Sequence, residues 1–106
     1  MSGKSESKCT DWKAWHDTQP PGPARLFVTG ECNFPTTGYK VELKPHVPPG
    51  INPTIYILDK VVHKPSGPAG DVITTIDVKY EEKTNTHYVE VHILPDDVHV
   101  AVEEVH

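Results

Sequence analysis

Seven histidines are the first residues in this 106-residue chain that invite chemistry. His92 and His99 flank the segment Leu94 to Asp97 (LPDD), which reads as the loop of a hairpin, with Pro95 and Asp96 at the centre of a type I turn. In that register the two histidines stand opposite each other on the outward face, with Cβ atoms about 5 Å apart. Two imidazoles so placed can share a metal ion, and Glu90 or Glu103 could add a carboxylate. Zinc asks for three or four converging ligands with supporting groups behind them. Two histidines on a flat solvated face fall short of that, and polar filling of the face is the simpler reading.

The acid pairs Glu81/Glu82 and Glu103/Glu104 lie in strand-like sequence, where neighbours point to opposite faces. They are expected to be solvated edge charges, not a pair working on one substrate. GxSxG, HExxH, P-loop and GxGxxG patterns are absent from the sequence. The expectation is therefore a non-enzymatic chain with no catalytic residue and no cofactor.

Cys9 and Cys32 form no CxxC pair and sit in no Cys-His-Asn signature. With Cys9 at the edge of a polar tail, both thiols are expected to be free. The segment Met1 to Lys8 (MSGKSESK) lacks the apolar stretch of a secretory signal. A cytoplasmic location is expected, unless the chain is a mature fragment. No apolar run approaches the roughly 18 residues of a membrane span. Residues 1–53 hold six Lys/Arg against five Asp/Glu, whereas residues 54–106 hold four against ten. An acidic half without a basic stripe argues against nucleic-acid binding.

The elements that must position these residues are strands. Residues 1–10 are expected to be a disordered tail, and 11–106 a single domain. Trp12 and Trp15, spaced i, i+3 in DWKAWHD, suggest a short helical turn with Asp11 as its N-cap. Strands follow at Arg25 to Thr29, Tyr39 to Lys44, Thr54 to His63 and Asp71 to Tyr80, each alternating or doubly apolar. Between them, HVPPGINP (46–53) and KPSGPAG (64–70) are breaker loops. In the last hairpin Val89, Val91 and Ile93 are expected to face Val102, Val100 and Val98, all buried. The predicted fold class is all-β, an antiparallel immunoglobulin-like sandwich of about six to eight strands.

One loop stands apart. ECNFPTTGYKVEL (31–43) carries no charge between Pro35 and Tyr39. Pro35 fixes its own φ and holds Phe34 extended. Gly38 permits a sharp turn into the next strand, and the Thr36 and Thr37 hydroxyls can bond nearby backbone and stiffen the loop. Such a preorganised wedge loses little entropy on entering a cleft.

The run NFPTTGYKV (Asn33 to Val41) resembles the threonine loop of the chagasin-like inhibitors of papain-type cysteine proteases. That family is immunoglobulin-like, and its loop blocks the protease active site uncleaved. PSGPAGDVITTIDV (Pro65 to Val78) resembles a second, glycine-rich family loop. Phe34 separates Asn33 from Pro35 here, and the Arg-Pro-Trp loop of the family has no counterpart near LPDD. PTTGYKVEL with INPTIYILDKVVHKPSG and VITT also resembles the C-terminal domain of PrcB-like, protease-associated proteins. The resemblance implies a partner-binding surface of Pro35, Thr36, Thr37, Gly38 and Tyr39 with Gly67 and Gly70, and a protease or other protein as partner. The alternatives are a metal- or small-ligand-binding β-domain using His92 and His99, or an accessory domain with an unrelated partner.

Overall fold

A computed structural model describes residues 8–67 and 72–105. All regular structure among them is strand: β1 (Lys8–Asp17), β2 (Arg25–Phe34), β3 (Lys40–Pro45), β4 (Ile55–His63), β5 (Thr74–Lys83), β6 (Glu90–Leu94) and β7 (Val98–Val105). They form one seven-stranded sheet in the order β3-β4-β6-β7-β1-β2-β5. The two strands at the ends of this order lie against each other, so the sheet nearly closes on itself.

The fold class is all-β, as the alternation predicts, but the pairing is not purely antiparallel. β1 runs parallel to β7, and β4 runs parallel to β6. The strand directions define two ends. The connection 35–39, residues 64–67 and 72–73, and the connection 95–97 sit at one, here the loop end, and 18–24, 46–54 and 84–89 at the other, the mouth.

Inward positions follow the period of two along each strand. Leu26, Val28, Cys32 and Phe34 of β2 are buried, as are Leu43, Leu58, Val78, Val91, Ile93 and Val100. The His92/His99, Val91/Val100 and Ile93/Val98 pairs of the last hairpin stand as expected. Val98 and Val102 are half-buried. Val89 departs from the expected burial and is 60 % exposed. It precedes β6 at the mouth, where its N–H is taken by the Thr54 carbonyl at 2.8 Å.

The N-terminal segment differs most from expectation. There is no helical turn at 11–17; these residues belong to β1, and the first three residues of that strand fall within the expected tail. A register shift lies between Thr10 and Lys13, with Asp11 at φ 57°. In a strand, residues i and i+3 lie on opposite faces, so the two tryptophans serve different surfaces. Trp12 packs inward over Gly30, where an added Cβ would lie 2.4 Å from its Cε3 atom. Trp15 stacks on Phe27 outside, centroids 5.3 Å apart. Cooperative pairing with both β2 and β7 outweighs the local preference for a turn.

The cysteines are a second correction. Cys9 and Cys32 are opposite each other in the β1–β2 ladder and form a disulfide. Because β1 begins before Cys9, that residue is held in the sheet next to Cys32. Disulfides persist in oxidising compartments, which runs against the cytoplasmic expectation.

Candidate functional site

At the loop end, the β2–β3 connection is fixed from both sides. Phe34, the buried last residue of β2, stacks on Tyr39 across the base of the loop, with centroids 4.3 Å apart and rings 10° from parallel. Between them Pro35, Thr37 and Gly38 are exposed and Thr36 is half-buried. Gly38 has φ 93°, a region that strains any residue with a Cβ. A Cβ there would also lie 2.8 Å from the Cβ of Pro65. The Pro35–Gly38 loop is thus docked on the start of the β4–β5 connection. Gly67, in that connection, is exposed, while Gly70 lies outside the described residues.

A shallow cleft beside this contact is lined by Gly38, Tyr39, Val41, His63, Pro65 and Ile76. Val72 and Ile73 are strongly exposed just before β5, whose first residue pairs with Phe34. The same end carries the disulfide and Lys60, whose side chain is only 5 % exposed. Its Nζ donates to Asp96 of the β6–β7 turn and lies 3.3 Å from the Cys9 sulfur.

Every histidine among the described residues faces a carboxylate. His46 meets Asp59 at 2.9 Å, and His63 meets Glu42 at 2.7 Å. On the outer face His92 and His99 stack in parallel, centroids 4.1 Å apart. Asp97 reaches His92 Nε2 at 2.6 Å and His99 Nε2 at 3.3 Å, and Glu90 bonds to His99 Nδ1. The expected pair therefore gains Asp97 and Glu90, while Glu103 takes no part in the trio. The hydrogen bond to Glu90 pushes the His99 pKa above its ordinary value, and that from His92 holds Asp97 below its own.

The mouth holds polar groups that were expected to be solvent-facing. Glu104, His16, Leu26 and Glu82 occupy consecutive register positions across β7, β1, β2 and β5. His16 is fully buried. Its Nε2 donates to the Thr84 carbonyl at 2.9 Å, and its Nδ1 lies 3.2 and 3.3 Å from the two Glu104 oxygens. His87 Nδ1 lies 3.1 Å from the same Oε1. Burial disfavours the Glu104 charge, but the hydrogen bonds from His16 and His87 outweigh it and hold the carboxyl below its ordinary range. On the far side of the row, the Tyr56 and Tyr80 hydroxyls, 2.9 Å apart, both donate to Glu82. Burial, then this carboxylate, raises the Tyr56 pKa and pushes Tyr80 up to about 12.

Glu82 is therefore not a solvated edge charge, whereas Glu104 stays exposed as expected while pairing with two histidines. The signal for Glu82 was present as phase, since it continues the inward set Ile76, Val78, Tyr80; Glu104 shares the parity of Val98, Val100 and Val102 but is exposed. His16 likewise continues Trp12 and Ala14. Their partners Glu81 and Glu103 point out, and Glu81 pairs with Arg25.

No protein family, curated protein or solved structure matches this chain.

Proposed function

We propose that the chain is a non-enzymatic binding domain that presents the Pro35–Tyr39 loop, with Pro65–Gly67 beside it, to a partner protein. The observation that carries this reading is the double restraint on the loop: the Phe34–Tyr39 stack at its base and the Gly38–Pro65 contact at its turn. An exposed, uncharged segment already held in one shape sacrifices little entropy on binding. Exposed Val72 and Ile73 add apolar surface at the same end. The partner class that the loop sequence implies is a protease with a papain-like cleft. The β6–β7 turn reaches the same end, but it is short, and Asp96 and Asp97 are already paired with Lys60, His92 and His99. A third contact from that turn would be weak.

The immunoglobulin-like sandwich reading is supported by the way β7 links the half-sheet β5-β2-β1 to the half-sheet β3-β4-β6, with inward rows on both. The parallel β4–β6 pair is the feature it does not explain.

The test is inhibition of a panel of papain-like proteases at high domain concentration, followed by Thr37→Asp. Reversible inhibition without cleavage is expected. The substitution should weaken it more than about tenfold, since an unpaired charge would enter the cleft. Inhibition nowhere on the panel removes the cysteine-protease partner.

A further inference from the structure

The mouth trio His16, His87 and Glu104 brings two imidazole nitrogens and a carboxylate to one point. A carbonyl oxygen can only accept, so the His16–Thr84 bond assigns a proton to Nε2. In the neutral ring this leaves a lone pair on Nδ1 aimed at a carboxylate, an acceptor against an acceptor, in a fully buried side chain. A cation must lie between them. A proton on Nδ1 would serve His16 and Glu104, and a proton on His87 Nδ1 would serve the same Glu104 oxygen; an ion could replace both, because the two nitrogens and the carboxylate already converge.

We propose that His16 Nδ1, His87 Nδ1 and the Glu104 carboxylate bind a divalent first-row transition ion of the zinc type. The donor atoms all lie within 4.8 Å of one another. The contacts of both imidazole nitrogens with the carboxylate span 3.1–3.3 Å. Bonds of about 2.0–2.1 Å to a tetrahedral ion place ligand atoms about 3.3 Å apart, which both nitrogen–carboxylate edges match, while the two nitrogens lie within 4.8 Å of each other. Two imidazoles and a carboxylate are a donor set suited to zinc and poorly suited to magnesium or calcium. The support behind the ligand is already built, because a metal-binding histidine characteristically donates its other N–H to a carbonyl or carboxylate, as His16 does to Thr84. His87 is 66 % and Glu104 30 % exposed, which leaves a fourth position open to water or a ligand. The outer His92–Asp97–His99 trio is a poorer site. Its two Nε2 atoms also meet one Asp97 oxygen, but Glu90 holds the other nitrogen of His99 and none of the three groups is buried.

The test is calorimetric titration of chelator-stripped protein with Zn²⁺ at neutral pH, with Mg²⁺ as control. One saturable Zn²⁺ equivalent and no Mg²⁺ binding are expected. His87→Ala, at an exposed loop position that leaves the fold intact, should weaken that equivalent at least about tenfold, and His99→Ala should leave it unchanged. In the ¹⁵N spectrum of the histidine rings, His16 Nδ1 should shift on adding Zn²⁺ while its Nε2–H persists. Absence of saturable Zn²⁺ binding, equal affinity in His87→Ala, loss in His99→Ala alone, or an unmoved His16 Nδ1 would each overturn the proposal.

Discussion

The two ends of this sheet close off the same column of inward side chains with opposite chemistry. At the loop end the closure is covalent and apolar: the Cys9–Cys32 disulfide, the Phe34–Tyr39 stack and a proline against a glycine. At the mouth it is polar. Glu82 collects two tyrosine hydroxyls, and Glu104 collects two histidines. The covalent and apolar contacts do not titrate, although the rim of this end also carries the Lys60–Asp96 and His92–Asp97–His99 pairs. A polar end is stable only while its donors and acceptors stay matched, because a buried group left without its partner costs its full desolvation. The loop end therefore suits presentation of a fixed surface, and the mouth suits a response to protons or metal.

The comparison can be broken in several places. The largest effect should come from the disulfide. Cys9→Ser with Cys32→Ser frees a loop spanning a sequence separation of 23 and should cost about 3 kcal/mol in urea unfolding. A change near zero would mean that the loop end does not depend on its covalent link. Next is Tyr56→Phe, which removes one donor to Glu82 at the mouth. A bond to a charged acceptor is worth about 1.5–3 kcal/mol, and the loss should appear in chemical denaturation. A neutral result would place Glu82 in contact with solvent and remove the polar mouth.

Gly38→Ala should cost about 1–2 kcal/mol, from a Cβ in the left-handed region and its approach to Pro65. It should also weaken partner binding at the loop end without changing the histidine spectra at the mouth. If both ends respond, they are not independent.

The smallest effect is in pH. His99 has a raised pKa, so its contribution is complete below its ordinary value of 6.5 and is lost as pH rises through the higher folded value. Asp97, Glu42 and Glu104 have lowered values, so theirs are complete above ordinary values of 3.8, 4.5 and 4.5 and are lost as pH falls through the folded ones. All four coexist between 4.5 and 6.5. Melting temperature should peak in that window, and His99→Ala should flatten the decline on its alkaline side. A melting temperature that keeps rising to pH 8 would contradict this.

The alternation of β3, β6, β7 and the first half of β2 was legible because a residue's face follows from its parity along a strand, whereas Gly30–Phe34, expected to lie in or before a loop, completes β2. The restraint on the Pro35–Gly38 loop was partly legible, since Pro and Gly report backbone angles, but its docking on Pro65 depends on where β4 ends. The N-terminal strand was not legible. Its tryptophan spacing fits a helical turn, and what decides against it are the ladders to β2 and β7, which no local pattern encodes. The same omission hid His16, Glu82 and Glu104. Read one at a time they are surface polar residues. Read in phase with the apolar residues beside them, His16 and Glu82 turn toward the interior, and Glu104 is drawn to His16.

The placement of β7 has a consequence for how the chain reaches its final form. Among the described residues, β7 is the only strand hydrogen-bonded to both half-sheets, to β6 on one side and β1 on the other. The His16–Glu104 contact joins residues 88 positions apart. Until β7 has been synthesised, the half-sheets have no ladder between them, and the edges of β1 and β6 stay bare. Such edges recruit other chains, and pairings this distant in sequence form slowly. A chain stalled before Val98 should therefore self-associate through these edges, and the final eight-residue strand acts as the zip that seals the seam.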